Sequence, residues 1–149
     1  MCINDLILSL AESPARGMMV NMIIGMGTDM AEVARIRASI ARYGDRFLNR
    51  IYTPGERAYA SRKANAAERF AARFAAKEAG MKAIGTGWNL GVTWKDFEVV
   101  NERSGRPKLL LHGLAAQVAE RLGAGQVTIS LTHTSELAFA VVILEGLLP

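Results

Sequence analysis

The sequence contains a single cysteine, Cys2, among its 149 residues. One cysteine excludes an internal disulfide and cannot supply the thiolate cluster of a structural zinc site. No apolar run approaches the roughly 18 to 20 residues that span a bilayer, and Asn4 and Asp5 stand where a secretory signal carries basic residues. We therefore predict a cytoplasmic protein that is not exported and has no membrane partner.

Acidic residues are in deficit: 18 Lys and Arg outnumber 14 Asp and Glu, for a net charge of +4. Such a protein attracts anionic partners, and charge alone does not choose among nucleic acid, a phosphorylated ligand and an acidic protein. The sequence has no Walker-type loop, dinucleotide fingerprint, nucleophile elbow or recognised nucleic-acid motif. Its length suits one domain with a sizeable core. We assign residues 22–149 to this domain and residues 1–21 to an N-terminal extension of unknown role.

The segment Arg69–Lys82 is the strongest helix signal, because it is rich in Ala and lacks Pro. At about 100° per residue, one apolar stripe contains Phe70, Phe74, Met81 and Ile84. Lys77 falls inside this stripe and Glu78 on its edge, so both charges need partners. An internal ion pair or a snorkelling lysine is one interpretation. A metal ion or an anionic ligand is the other.

A short strand punctuated by glycine is predicted over residues 22–29. Gly25 and Gly27 share the strand face of Asp29, which leaves that face open to the close approach of a neighbouring element. Asp29 could cap the next helix, with Glu32 completing a capping box, or it could be a ligand of a functional group. The pattern favours neither interpretation.

The next helix is predicted from Ala31 to about Arg42, and basic residues continue beyond Gly44. The arginine row of this region consists of Arg35, Arg42, Arg46 and Arg50. Such a row is either a solvated face or a docking surface for an acidic partner.

The remaining pattern predicts a helix from residue 54, a hairpin with strands at 97–100 and 108–111, a helix at 114–122, and strands at 126–132 and 137–144. This order predicts an α+β domain in which helices pack on one face of a mostly antiparallel sheet. The last strand is almost wholly apolar, so we expect it in the centre of the sheet or at a subunit contact. His133 is either a turn residue or, if its strand pairs with the first one, a neighbour of Asp29.

Five segments together resemble the holo-[acyl-carrier-protein] synthases, the small bacterial 4'-phosphopantetheinyl transferases. They are residues 25–29, 73–79, 85–87, 105–107 and 130–134. They follow the order of the family and span nearly the whole chain after the extension. The resemblance implies the 4'-phosphopantetheinyl transferase fold. It also implies transfer of the phosphopantetheine arm of coenzyme A to a serine of apo-acyl carrier protein, with release of adenosine 3',5'-bisphosphate, for fatty acid biosynthesis.

The matched positions imply a role for each residue of the site. Asp29 and Glu78 become the carboxylates that bind Mg²⁺, a cation commonly held by one or two carboxylates together with substrate phosphates. Lys82 and His133 join them as catalytic residues. The base for the carrier serine is Glu78 acting through water, with Asp29 and His133 as alternatives. The implied coenzyme A contacts are Arg73, Lys77, Lys82, Gly85, Thr86, Gly87, Pro107, His133 and Thr134.

Acyl carrier proteins are strongly acidic, so the resemblance makes the arginine row their docking surface. Family members commonly form trimers, which implies a homotrimer with sites between its subunits. Two other classes remain open: a nucleic-acid-binding module, which we do not expect because no such motif is present, and a non-catalytic scaffold that binds an acidic protein.

Overall fold

The computed structural model describes residues 20–62 and 64–147. The predicted extension therefore lies almost wholly outside the described residues, and its boundary stays a prediction. The elements are β1 (Asn21–Glu32), α1 (Val33–Ile51), α2 (Pro54–Ser61), α3 (Ala66–Ala83), β2 (Phe97–Asn101), β3 (Pro107–Leu111), α4 (Gly113–Arg121), β4 (Ala124–His133) and β5 (Leu137–Leu147). A 3₁₀ turn, Trp94–Asp96, precedes β2. No helix among these residues is long and apolar enough to cross a bilayer.

All strands pair in antiparallel fashion, which confirms the α+β prediction. They form two sheets rather than one: a three-stranded sheet in the order β1-β5-β4 and a separate β2-β3 pair. The central position of β5 accounts for its apolar sequence, because a neighbouring strand covers each edge and α3 covers one face.

The helix α3 packs on the three-stranded sheet through small residues. Its stripe residues Phe70 and Met81 are buried, as predicted, and so are most of its alanines. A Cβ atom built on Gly25 or Gly27 would lie 2.3 Å from the carbonyl oxygen of Ala83 or 2.0 Å from that of Ala79. The two glycines therefore allow the helix backbone to approach β1 directly, as their spacing predicts.

The start of α1 was predicted too early. Ala31 and Glu32 belong to β1, where they pair with β5, and the helix begins at Val33. The backbone bonds of the sheet thus outweigh the helical periodicity of these residues. Asp29 lies inside the strand and is not a helix cap, so the capping-box alternative is wrong. At Gly44 (φ 50°, ψ −132°) the helix is interrupted before it continues to Ile51.

Candidate active site

Lys77 lies in the interior of the domain, where its side chain has no exposed surface. Its ammonium is 2.8 Å from Oε2 of Glu56 and donates hydrogen bonds to the backbone oxygens of Trp94 and Phe97. Burial lowers the pKa of Lys77, and the charge of Glu56 opposes that shift. Three protein acceptors occupy its three donors. The internal ion pair is therefore the correct interpretation, and the structure does not support the predicted contact with coenzyme A.

Asp29 and Lys82 meet where β1 crosses α3. The ammonium of Lys82 is 2.8 Å from Oδ1 of Asp29 and donates to the backbone oxygen of Thr28 at 2.9 Å. Alternation along the strand directs Asp29 to the same face as Gly27, against the helix. Half of the Lys82 side chain remains exposed. The pair is therefore open to solvent and to a ligand.

Glu78 lies one helical turn before Lys82, on the same face of α3. Its Oε1 accepts a hydrogen bond of 2.7 Å from the indole nitrogen of Trp94. We call Asp29, Glu78 and Lys82 the acidic cluster. No sequence pattern singled out Trp94, because its short 3₁₀ turn has no periodicity. Its contact with Glu78, 16 residues earlier, forms only when the turn packs against α3.

The carboxylates of the acidic cluster are the type of ligand that a hard divalent cation prefers. The part of the chain that the structure describes contains no group of three or more His, Cys, Asp or Glu residues that could hold a metal by themselves. Mg²⁺ does not need such a group, since it is commonly bound through one or two carboxylates plus phosphates and water. Within the same part, Glu78 has no hydrogen bond besides that from Trp94. Its second carboxylate oxygen is therefore available to a cation.

Three of the predicted coenzyme A contacts, Arg73, Pro107 and His133, line a cleft of about 190 Å³. We call it the basic cleft; it is lined by Tyr59, Arg69, Ala72, Arg73, Asn101, Gly105, Pro107, Leu131 and His133. Arg73 donates to Oδ1 of Asn101 at 2.8 Å, and its guanidinium lies 4.1 Å from the ring centre of Tyr59. Burial lowers the pKa of Arg73. Its Nε is buried and has no hydrogen-bond partner within the described residues.

His133 belongs to the basic cleft and not to the acidic cluster. Its Nδ1 is 3.3 Å from Oε2 of Glu68. In the sheet it pairs with Ala138 of β5, and this strand separates β4 from β1. The predicted approach of His133 to Asp29 depended on direct pairing of the two strands, so it is wrong within one chain. Thr134 forms the turn, where its Oγ1 accepts the backbone N–H of Leu137 at 3.1 Å.

The two groups lie on different sides of α3. Arg73 precedes Glu78 by five residues, which is a rotation of about 140° around the helix axis after one full turn. One chain therefore carries its carboxylates and its basic cleft on separate faces.

The loop after α3 contains the predicted glycine pair. Gly85 and Gly87 have φ angles of 74° and 52°, which non-glycine residues adopt only with strain. Thr86 between them is buried, and its hydroxyl has no partner among the described residues. A buried hydroxyl without a partner is costly. The contacts of this loop with coenzyme A stay a prediction.

All four residues of the arginine row are exposed, but they do not form one straight line, because the backbone bends at Gly44. The guanidinium of Arg50 lies 5.6 Å from the ring centre of Trp94. Arg46 and Arg50 also line a shallow pocket of about 270 Å³ with Tyr43 and Phe47. The row therefore reaches the edge of the acidic cluster.

Comparison with known families decides the identity of this arrangement. Residues 25–142 match the model of the 4'-phosphopantetheinyl transferase superfamily. A holo-[acyl-carrier-protein] synthase of Solibacter usitatus is 66% identical over 125 residues, which are 84% of this chain and 100% of that protein. The chain belongs to the holo-[acyl-carrier-protein] synthases. The synthase of Koribacter versatilis is 62% identical over 83% of this chain and 99% of its own length.

Solved structures of holo-[acyl-carrier-protein] synthases share the fold. The enzyme of Neisseria meningitidis superposes with a TM-score of 0.75 at 30% identity, over 83% of this chain and 98% of that one. The enzyme of Bacillus anthracis, in complex with CoA (3',5'-ADP), has a TM-score of 0.69 at 37% identity, over 84% and 98%. The fold and the family predicted from the sequence are confirmed, and this synthase is an enzyme of the transferase class.

Proposed function

We propose that this synthase transfers the 4'-phosphopantetheine arm of coenzyme A to a serine of apo-acyl carrier protein and releases adenosine 3',5'-bisphosphate. The observation that carries the proposal is the acidic cluster, in which Lys82 contacts Asp29 where β1 crosses α3 and Glu78 lies one turn from Lys82 on the same helix face. Relatives support the substrate, since the Helicobacter pylori enzyme is solved in complex with coenzyme A. We place the reaction in the cytoplasm and in fatty acid biosynthesis.

Asp29 and Glu78 are proposed to hold Mg²⁺ together with the phosphates of coenzyme A, in agreement with the donor set of the acidic cluster. When bound, the cation neutralises negative charge that develops on the pyrophosphate oxygens. Lys82 is proposed to stabilise the same negative charge. Its side chain is half exposed, and its ammonium has one donor left after its bonds to Asp29 and Thr28.

The transfer is a substitution at the phosphorus that carries the pantetheine arm. The serine oxygen forms a new bond to this phosphorus, and the bond to the bridging oxygen of the pyrophosphate breaks. The serine proton leaves through a water to Glu78, and the adenosine bisphosphate carries away the bridging oxygen. Little covalent chemistry is required of the protein, so most of the rate arises from positioning and electrostatic stabilisation.

The anionic nucleotide end of coenzyme A is proposed to bind the basic cleft and the loop Gly85–Gly87. Arg73 lines this cleft with a guanidinium, the side-chain group best suited to a phosphate, and Pro107 and His133 complete the walls. Because the basic cleft and the acidic cluster lie on separate sides of α3, we assign the two halves of one site to neighbouring subunits.

An uncovered apolar face supports assembly into a homotrimer. Met26 and Met30 of β1 are 61% and 59% exposed. The strand register puts Ile143 and Phe139 of β5 beside them, on the face of the sheet opposite α3. Contiguous exposed apolar surface typically marks a protein contact. The homotrimer that the family resemblance implies should sediment at three times the chain mass, and a monomer that retains activity would contradict this assembly.

Mixing two inactive variants tests whether sites are shared between subunits. Glu78→Gln removes the acidic half and Arg73→Gln the basic half, and each homotrimer should be inactive. In trimers refolded from an equal mixture, about a quarter of the sites should combine two intact halves, because the halves are drawn independently at a head-to-tail interface. Mixtures that stay as inactive as either variant would argue against shared sites.

The decisive experiment is mass spectrometry of apo-carrier incubated with the protein, coenzyme A and Mg²⁺. We expect the mass increment of one phosphopantetheine, and no increment when a chelator removes the metal. Glu78→Gln should abolish the increment, while Glu120→Gln on the exposed side of α4 serves as the matched control and should retain it. Full turnover by Glu78→Gln, or turnover without divalent metal, would overturn the proposed site.

A further inference from the structure

Trp94 has an unusual set of contacts for a residue in a short 3₁₀ turn. It is 8% exposed, and its indole nitrogen donates to Oε1 of Glu78 at 2.7 Å. Phe74 stacks near its ring with 6.5 Å between the centroids, and Trp88 meets it edge-on at 4.0 Å. The guanidinium carbon of Arg50 lies 5.6 Å from the centre of the same ring. The indole is therefore in contact on several sides.

These contacts of the indole ring fix the direction of its N–H bond. An indole has one donor and no acceptor, and here that donor is used on a single carboxylate oxygen. Packing alone does not explain the choice of tryptophan, since phenylalanine could keep the aromatic contacts with Phe74 and Trp88. The contact that phenylalanine cannot form at this position is the hydrogen bond to Glu78.

We propose that Trp94 is a positioning residue for the metal-binding carboxylate of Glu78. Its N–H bond restrains Oε1 and leaves Oε2 to bind the divalent cation. Outer partners of this kind orient metal-binding carboxylates, and their loss typically weakens metal affinity about 10- to 100-fold. The inference rests on the proposed function, because it requires that Glu78 bind a metal.

The test compares Trp94→Phe with Trp88→Phe as the matched control. Both replacements remove one indole of the same aromatic contact, but Trp88 makes no hydrogen bond to Glu78. Mn²⁺ affinity in the presence of coenzyme A is measured from the electron paramagnetic resonance signal of the free ion. We expect Trp94→Phe to weaken Mn²⁺ binding about 10-fold or more, and Trp88→Phe to change it less than about twofold.

The chain contains two tryptophans, so Trp88→Phe leaves Trp94 as the single indole fluorophore. In this variant Mn²⁺ should quench the fluorescence of Trp94, and adding Glu78→Gln should abolish the quenching. In turnover assays, Trp94→Phe should raise the Mg²⁺ concentration for half-maximal activity about 10-fold, while kcat at saturating Mg²⁺ changes little.

The outcomes separate this inference from the proposed function. If the wild-type protein binds Mn²⁺ and Trp94→Phe binds it equally well, the positioning role is overturned and the proposed function stands. If the wild-type protein binds no divalent cation with coenzyme A, both are overturned. A loss of fold in Trp94→Phe is detected by circular dichroism. In that case the indole N–H of Trp94 is followed by NMR in the Trp88→Phe protein, where it should stay protected from solvent exchange when Mg²⁺ and coenzyme A bind; an N–H that loses its protection on metal binding would overturn the positioning role.

Discussion

Replacing Gly27 by alanine tests the contact that brings the acidic cluster together. A Cβ at this position would lie 2.0 Å from the carbonyl oxygen of Ala79 and 2.6 Å from the backbone nitrogen of Ala83. Both atoms belong to the backbone of α3, so no side-chain rotation can relieve the clash. The helix must move away from β1 by about 1.4 Å before the oxygen contact reaches 3.4 Å, the lower limit of ordinary contact.

This displacement should affect both stability and catalysis. Overpacking a core typically costs about 1 to 3 kcal/mol of unfolding free energy. Because the clashing atoms are backbone atoms, which cannot rotate away, we expect Gly27→Ala to cost about 3 kcal/mol. For a domain of this size, that corresponds to a fall in Tm of about 6 to 12 °C. Asp29 lies on β1 and Glu78 on α3, so the same movement changes the spacing of the two carboxylates. A misplacement of about 1 Å can cost roughly 100-fold in rate.

The assay pairs urea unfolding with the rate of phosphopantetheine transfer below the transition. Gly125→Ala is the matched control, because it also adds a methyl group to a strand glycine, but its nearest neighbour is 4.0 Å away. We expect the control to keep the wild-type midpoint and rate. A Gly27→Ala variant with wild-type stability and turnover would refute the argument that close packing at this glycine builds the site.

Lys77, the arginine row and Glu98 provide tests at other contacts. Lys77→Ala should destabilise the fold by about 3 to 5 kcal/mol because it leaves the buried charge of Glu56 uncompensated. Lys77→Met with Glu56→Gln should recover part of this loss in urea unfolding, because glutamine carries no charge and keeps an acceptor for the buried N–H of Val99; equal losses would contradict the ion-pair assignment. Exchanging Arg35 and Arg42 for Glu should raise KM for apo-carrier about 10-fold at low salt and leave KM for coenzyme A unchanged, and equal effects on both substrates would exclude a docking role. Burial raises the pKa of Glu98, but hydrogen bonds from a neighbouring hydroxyl and imidazole outweigh it and keep this pKa below the usual 4.5. An acid with a lowered pKa stabilises the fold above its unfolded-state pKa and loses this contribution as the pH falls through its folded-state pKa. The advantage of wild type over Glu98→Gln in unfolding free energy should therefore shrink as the pH falls below about 4.5, and an advantage independent of pH would contradict the assignment.

The helix around Phe70 was predictable because alanine content and periodicity act within a few turns. The close approach at Gly25 and Gly27 was predictable as well, since two glycines on one strand face leave space for another backbone. The start of α1 was not, because Ala31 and Glu32 fit the helical pattern. Their hydrogen bonds to β5, a strand about a hundred residues later, decide their conformation.

The candidate site was only partly predictable. Family motifs single out Glu78 and Arg73, but a motif does not show which part of the protein each side chain will contact. Lys77 matches a motif too, and its role changed once Glu56 of α2 proved to be its partner. Trp94 carries no signal in the sequence, because its contact with Glu78 exists only when the 3₁₀ turn packs against α3.

The sequence by itself determined the order of the elements, the buried stripe of α3 and the family, because these depend on local periodicity and on short runs of residues. Tertiary structure alone decided which charges meet. Lys82 reaches Asp29 across 53 positions, while β5 lies between His133 and β1. Strand order and helix rotation set these distances, and electrostatic interactions fall off with distance in space, whatever the separation along the chain.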